Sequence, residues 1–580
     1  MRALTTKLTA AASLVAAVGA LGAAAPSPAS AATPRVVIGA HVVAGTQLRP
    51  LASVPLRIGL EFYVPPRDPA ALTSFIASVS TPGSPSYHHY LGRGRFAARF
   101  GATAATIAHV SAYLAAHRMT LVTTSPDHLF IHATGAVRDV EALLHTRIGQ
   151  FALKGHRVYA NTTPAVLPAA ISRQVRTVVG LSDVPEARTS FSIRPHARTA
   201  STDCSSMSAG TSATTGPFTI AEAGAAYKYG AFASHGAFGQ GQTVAVYELT
   251  NYLASDVSHY ADCLAQQTPP AATAAVSGVM VDGGGGINFN AAVEAALDIE
   301  IVATLAPQSN VMVYQGPNAP AGAIDTYHRI ALDDAAKVVS TSWGFCESAD
   351  KPTVTAESAI FAEMAAQGQS VVAAAGDTGA SDCLGYFSTR TNPIAGAIGV
   401  DDPASQPYVT GIGGTTVANA ASIGTNPNAE VVWDTADQAG GGGGVSSLWP
   451  QPTWQAGVAG TSTSGRSVPD LSIDADPASG YMIYSLGAGG WADVGGTSCG
   501  APMVAALLAL ANQYNSTTLG FVNPLLYQVA VQHPGVNFSD VTLGNNKTYD
   551  IAGFDTAAVG YDDASGWGSP IASSFLGGDI

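Results

Sequence analysis

Downstream of Pro217, short apolar runs alternate with longer stretches in which apolar residues recur on a helical period. Residues 243–247 (TVAVY), 311–314 (VMVY), 337–340 (KVVS) and 370–375 (SVVAAA) read as strands, with helices over 290–305 and 356–367. Strands that are apolar throughout belong to a sheet covered on both faces, so this alternation predicts a mainly parallel sheet with helical crossovers. The first part of the chain has another order: a strand over 56–64, helices over 69–80 and 104–117, strands over 121–123 and 128–133, then a helix over 136–145. That order predicts a separate α+β unit with a ferredoxin-like layer. Between the two, residues 185–216 carry Ser, Thr, Arg and Pro without periodicity and read as a linker open to proteolysis. The expected fold class is α/β, a mainly parallel sheet flanked by helices, preceded by an α+β ferredoxin-like unit.

The amino terminus adds a third kind of segment. Arg2 and Lys7 precede an Ala/Leu/Val-rich run over 8–25, and Ala29, Ser30 and Ala31 are the small residues that signal peptidase accepts. Cleavage before Ala32 and export are expected, a short signal anchor being the competing reading; no later stretch has the roughly 18 apolar residues of a spanning helix. The chain therefore divides into a leader (1–31), a first unit with its linker (32–200) and a second unit (201–580). At 580 residues and 47% hydrophobic content, both units can bury a core. Five cysteines in an exported chain imply two disulfides and one residual thiol. Cys346 with Cys383, each following a strand, is one plausible pair and Cys204 with Cys263 the other, which leaves Cys499 to pack as a small apolar residue.

Charge separates the two halves. Residues 1–200 hold 19 Lys+Arg against 7 Asp+Glu (+12), and residues 201–580 hold 7 against 33 (−26), which together give the net −14. The cations of the first part are scattered and the chain is exported, so the acidic second part is a better partner for them than nucleic acid. The glycine runs at 283–286 and 440–444 match neither G-x-G-x-x-G after a strand nor a P-loop, and are expected to be flexible loops.

The candidate chemistry begins at residues 496–502 (GTSCGAP), which open an apolar helix over 503–513 and place Ser498 where strand gives way to helix. A serine hydroxyl needs a neighbouring base, yet beyond residue 200 the only histidines are His235, His259, His328 and His533, none in a catalytic setting. The G-x-S-x-G spelling raises an α/β-hydrolase esterase, but that fold needs an acid and then a histidine after the serine, and no Asp or Glu lies between Ser498 and His533. Carboxylates remain. Glu294 and Asp298 stand at i and i+4 on an otherwise apolar helix and share one face. If that face is buried, one of the two holds a proton, whereas a solvated helix face would be the bland alternative. Glu300, six residues from Glu294, points elsewhere. Asp377 ends an apolar strand in a turn bounded by Gly376 and Gly379, where a neutral carboxyl could donate to an oxyanion or simply bond its own turn.

Taken together, residues 239–249, 294–307, 340–344 (STSWG), 374–379 (AAGDTG), 442–446, 468–470 (VPD), 476–477 and 496–502 resemble the sedolisin (serine-carboxyl peptidase) family, whose fold is similar to that of subtilisin. The resemblance spans most of 217–570, and residues 50–184 resemble the family's kumamolisin-type activation prodomain. It implies Ser498 as nucleophile, Glu294 as general base, Asp298 as its supporting carboxylate, Asp377 as the acid on the oxyanion side and Trp343 lining the site. It implies one structural Ca2+, held by the side chains of Asp540 and Asp562 and the carbonyls of Val541, Ala558 and Gly560, oxygen ligands of the kind this ion takes. Ala558 stands where glycine is expected, and a positive φ there would be strained. The activity implied is that of a secreted, acid-active endopeptidase made as an autoprocessed zymogen, working through an acyl-serine on polypeptide substrates. It would act as a monomer, with its own prodomain as intramolecular inhibitor and no nucleic acid or, after leader removal, membrane as partner. A catalytically idle adhesin or binding protein on the same fold is the alternative. The charge split suggests that acid weakens the hold of the prodomain as it protonates the second unit.

Overall fold

Valine-rich strands lie at the centre of the molecule between two layers of helices, as continuous apolar runs require. The computed structural model describes residues 35–39, 46–52, 56–153, 156–185, 187–194, 202–208, 214–267, 271–386, 396–435, 438–549 and 553–576. The main sheet runs Ala275–Met280, Asn310–Gln315, Thr243–Glu248, Val338–Thr341, Ser370–Ala374, Thr410–Val417 and Glu430–Val432. The first six are mutually parallel, Leu471–Asp474 adds a further parallel pairing to Thr410–Val417, and Glu430–Val432 closes the edge antiparallel. This is the expected mainly parallel α/β sheet.

Two helices dominate one side of it, Ala292–Leu305 and Thr497–Tyr514, and both are buried nearly all round within one apolar cluster. Cys204 is bonded to Cys263 and Cys346 to Cys383, while Cys499 is free and buried. Among the described residues no helix is long and apolar enough to cross a membrane. The leader (1–31) lies outside the described residues.

The first unit is built on an antiparallel sheet in the order Thr120–Thr124, Phe130–Ala136, Arg57–Tyr63, Thr177–Val179. With helices Pro69–Ser80, Ala104–Ala116 and Val137–Leu144 between the strands, this is the β-α-β-β-α-β winding of a ferredoxin-like layer. Its helix starts are legible in sequence: Asp68 accepts the Ala71 N–H at 2.9 Å ahead of Pro69, and Thr103 accepts the Thr106 N–H at 3.2 Å. The two units do not meet mainly through charge. Ile76, Leu91, Phe100 and Phe130 of the first unit share one apolar cluster with Tyr327, Ile360, Met364 and Phe521 of the second.

The stretch read as an aperiodic linker is partly strand. Arg188–Thr189 pairs antiparallel with Trp343–Cys346, and Ser192–Arg194 pairs antiparallel with Gly490–Gly495. Strand addition uses backbone N–H and C=O groups that every sequence offers, so no side-chain period announces it.

Candidate active site

Ser498 is the second residue of the helix Thr497–Tyr514 and is fully buried. The chain reaches it through Gly496 at φ +130°, a conformation that an L side chain rarely adopts. A Cβ on Gly496 would also stand 2.2 Å from the Ser190 carbonyl oxygen and 2.8 Å from Asp377 Oδ2. Glycine is thus required where strand becomes helix, and the Ser498 hydroxyl is left without a hydrogen-bond partner.

Glu294 and Asp298 lie on the neighbouring helix, one turn apart and fully buried. The Ser342 hydroxyl lies 2.9 Å from Asp298 Oδ1 and 3.3 Å from the Ser498 carbonyl oxygen, and can donate to either. Both oxygens of Glu294 and Oδ2 of Asp298 have no partner. Burial pushes Glu294 well above the usual carboxylate range, the charges of Asp298 and Glu248 add to this, and the nearby Ser498 hydroxyl opposes it. Asp298 is likewise raised by burial, and eased by the Ser342 hydroxyl bond and by the nearby Glu294 carboxyl. Glu300 turns away, its Oε2 accepting the Tyr484 N–H at 3.0 Å.

Sequence reasoning assigned no role to the third carboxyl, Glu248. It ends the strand Thr243–Glu248, is fully buried, and accepts the Trp343 indole N–H at 2.9 Å. Burial and the Asp298 charge raise its pKa. An ionisable residue closing an otherwise apolar buried strand was the signal available for it. Trp343 is itself buried with its ring N–H turned to Glu248, and the edge of its strand faces residues 188–189.

Asp377 follows the strand Ser370–Ala374 after Gly376 at φ +102°. Its Oδ1 accepts the Thr497 N–H at 2.8 Å and the Thr497 hydroxyl at 2.9 Å, while Oδ2 is buried without a partner. Burial pushes its pKa up to about 7, with the two Thr497 bonds holding it down. The aspartate does not close its own turn; it ties the strand end to the residue ahead of Ser498. The glycine run at 440–444 is not the flexible loop expected: residues 440–443 are buried against this turn. Gly440 N–H donates to Asp377 O at 2.9 Å and Gly442 N–H to Gly376 O at 2.8 Å. A Cβ on Gly442 would stand 1.8 Å from the Ala375 carbonyl oxygen, so the repetition of glycine reflects close backbone approach rather than mobility.

The helix, the strand end and the serine turn thus bring Ser498, Glu294, Asp298, Asp377 and Trp343 to one place. Such a set can move a proton between a hydroxyl and a carboxylate while a second, neutral carboxyl and a backbone N–H face a developing oxyanion.

Away from this site, Asp540 Oδ2 accepts the Gly560 N–H at 2.9 Å and Asp562 Oδ2 the Ala558 N–H at 2.8 Å. Asp562 Oδ1 accepts the N–H groups of Ala564 and Ser565, and the Val541 carbonyl lies 3.4 Å from the Ser565 hydroxyl. Asp540 Oδ1 is buried and has no partner. These bonds bring the residues singled out for calcium together, and an orphaned carboxylate oxygen on Asp540 beside a second carboxylate fits a hard cation. Gly560 has φ +87°, whereas Ala558 does not adopt a positive φ, so the strain anticipated there is absent.

Comparison with known proteins agrees with this geometry. Residues 44–184 match the family described as "Pro-kumamolisin, activation domain" and residues 270–539 the "Subtilase family". The chain is 33% identical to kumamolisin of Bacillus sp. (strain MN-32), covering 85% of this chain and 86% of that protein. It is 30% identical to sedolisin of Pseudomonas sp. (strain 101), covering 87% and 84%. Among solved structures it is similar to Pseudomonas sedolisin, a serine-carboxyl proteinase complexed with two molecules of pseudo-iodotyrostatin, with a TM-score of 0.52 and 26% identity over 60% of this chain and 96% of that one.

Proposed function

Because the chain belongs to the sedolisin family of serine-carboxyl peptidases and carries the family's activation domain, we propose that it is an exported, acid-active endopeptidase with Ser498 as nucleophile and Glu294 as general base. Ser498 Oγ attacks the amide carbonyl carbon while its proton passes to Glu294. The oxyanion meets the Ser498 backbone N–H and the protonated Asp377 Oδ2. The C–N bond then breaks as Glu294 returns the proton to the leaving amine, and water, activated by the same carboxylate, hydrolyses the acyl-serine.

Acid activity follows from the coupling of the buried carboxyls. Glu294 is disfavoured as an anion chiefly by burial and next by the charges of Asp298 and Glu248. When those two are protonated the repulsion disappears, and a neutral Asp298 can donate to Glu294 and stabilise it as the one ionised member. The same acidity keeps Asp377 neutral. A calcium ion held by Asp540, Asp562 and the carbonyls of Val541, Ala558 and Gly560 would have a structural role, remote from the chemistry.

One observation carries this reading: the Ser498 hydroxyl, both Glu294 oxygens, Asp298 Oδ2 and Asp377 Oδ2 are all buried, from three separate elements, with no partner among the protein's own groups. Polar atoms are buried unpaired at a cost of about 1–3 kcal/mol each, so a fold that keeps several together uses them on something else. Ser498→Ala should abolish hydrolysis of denatured protein at acid pH. Glu294→Gln should lower kcat by roughly 10²–10⁴-fold, the range of general-base catalysis. A Glu294→Gln enzyme as fast as the parent would remove Glu294 from the mechanism.

A further inference from the structure

The segment between the two units lies across the site in the manner of a bound substrate. Upstream, Arg188 and Thr189 pair antiparallel with Gly344 and Trp343, and the Ser190 N–H donates to the Ser342 carbonyl at 3.3 Å. Downstream, Ser192, Ile193 and Arg194 pair antiparallel with Gly495, Val494 and Asp493. The two ladders leave Ser190 and Phe191 between them, with the peptide bond that joins these two at the centre of the gap. At that point the Ser498 N–H donates to the Ser190 carbonyl oxygen at 3.1 Å.

The position that a Gly496 side chain would take is 2.2 Å from that oxygen, 2.6 Å from Phe191 Cα and 2.8 Å from Asp377 Oδ2. The carbonyl is therefore gathered with the nucleophile's own N–H and the orphaned carboxyl oxygen. Asp377 Oδ2 has no other partner there, and once protonated it is the side-chain group on hand to donate to this oxygen. Successive carbonyls of an extended chain point to opposite sides, so a shift of one residue would turn the neighbouring carbonyl away from these donors.

We propose that Ser190–Phe191 is the bond this protease cuts in its own chain to mature, and that Arg188 occupies a subsite that prefers a cation in other substrates. The inference rests on the reading of Ser498 as nucleophile. Ser190 is buried, and the cleft there holds a short side chain. The Arg188 guanidinium lies 4.1 Å over the Tyr386 ring and faces the buried carboxyls of Asp382 and Asp401, easing the ionisation of both. Asp382 Oδ2 has no hydrogen-bond partner of its own. In the cleavage, Ser498 Oγ bonds to the Ser190 carbonyl carbon and its proton moves to Glu294. The Ser190–Phe191 C–N bond breaks with that proton passing to the Phe191 amine, and water releases Ser190 as a new carboxyl terminus.

The test is to acidify purified full-length wild type and Ser498→Ala and to identify both new chain ends by mass spectrometry at the earliest time points. The expected result is one fragment ending at Ser190 and one beginning at Phe191, from wild type only. Cleavage that needs Ser498 but gives other ends at all times overturns this proposal and leaves the nucleophile assignment standing, as does an enzyme that digests added protein with 188–194 intact. Cleavage by Ser498→Ala at the wild-type rate, or no hydrolysis of any substrate by wild type, overturns the nucleophile assignment instead. For the subsite, a synthetic peptide spanning 185–197 should lose about tenfold in kcat/KM on Arg188→Glu, as expected for a cation over an aromatic face beside carboxylates. Arg188→Lys should lose less. Equal rates for all three peptides would overturn the subsite.

Discussion

Asp377 is held by the residue directly ahead of Ser498, and the two oxygens of its carboxyl do different things. Oδ1 only accepts, from the Thr497 N–H and hydroxyl, while Oδ2 is free to donate if it carries the proton. Burial has raised its pKa to about 7, so the donor is present below that value and is lost as pH rises through it. Asparagine fits the same geometry, with its carbonyl oxygen meeting Thr497 and its amide N–H replacing the acid proton at every pH. Asp377→Asn should therefore keep activity on the alkaline side. Relative to pH 5, its activity at pH 8 should exceed that of wild type by about tenfold, since only roughly a tenth of a group with pKa near 7 is still protonated there. Superimposable pH–rate profiles for the two would exclude Asp377 as the oxyanion acid. A residue of this kind is only half visible in sequence. The strand and its glycine-bounded turn are legible, but the partner that fixes the carboxyl lies 120 residues away.

At the scale of elements, legibility followed burial. The helix Thr497–Tyr514 and the strands from Thr243–Glu248 to Ser370–Ala374 stand within a few residues of where their apolar patterns put them, because packing against a core imposes a period on side chains. The strands at 188–194 and the buried run at 440–443 carried no such mark: the first are held by backbone pairing and the second by the absence of side chains. Glu248 stayed unassigned for a related reason, since its partners Trp343 and Asp298 come from other elements. The loop 558–562 is an element of a third type, short and ordered mainly by hydrogen bonds to Asp540 and Asp562. If it closes on calcium, the ion binds the folded state alone and stabilises it by about 3–4 kcal/mol at concentrations some hundred- to thousandfold above Kd. A chelator should then lower the urea midpoint of the Ser498→Ala precursor, and Asp540→Asn should lower it in advance and remove the response to chelator. An unchanged midpoint on chelation would mean that the loop is held by its own hydrogen bonds.

For the whole molecule, the charge split suggests a prodomain held by attraction and released by acid, but the interface has a different chemistry. It is largely an apolar cluster, with Tyr90 donating to the Leu519 carbonyl at 2.5 Å and the Leu91 N–H to the Ala366 carbonyl at 2.9 Å. Apolar contacts do not titrate. Of the buried ionisable groups that cross it, Asp127 of the first unit bonds His328 at 2.8 Å. Burial alone would raise its pKa, yet His328, with help from Glu363 and Ser125, holds it well below the usual range. Asp127 thus stays ionised through mild acid, and Glu363, raised by burial and by Asp127, keeps its proton. Among the described residues one group that does respond is Asp325, pushed up to about 9 by burial, by Glu61 of the first unit and by Asp282; Glu61 in turn is bonded by His132. A pKa raised by docking means that docking is favoured by the protonated form, so this contact strengthens as pH falls from about 9 toward the ordinary carboxylate range. Local protonation thus opposes the loss of long-range attraction, which salt and distance already weaken, and acid by itself should not free the prodomain. In the Ser498→Ala precursor, exchange of the Leu91 amide, corrected for the intrinsic rate, should slow between pH 7.5 and pH 5, by about tenfold after discounting the shift for the partial exposure of Asp325. Asp325→Asn, neutral throughout, should start slow and stay flat. Faster exchange in acid that also rises with salt would mean that the long-range attraction governs docking, and release would then precede cleavage of the segment lying in the active site.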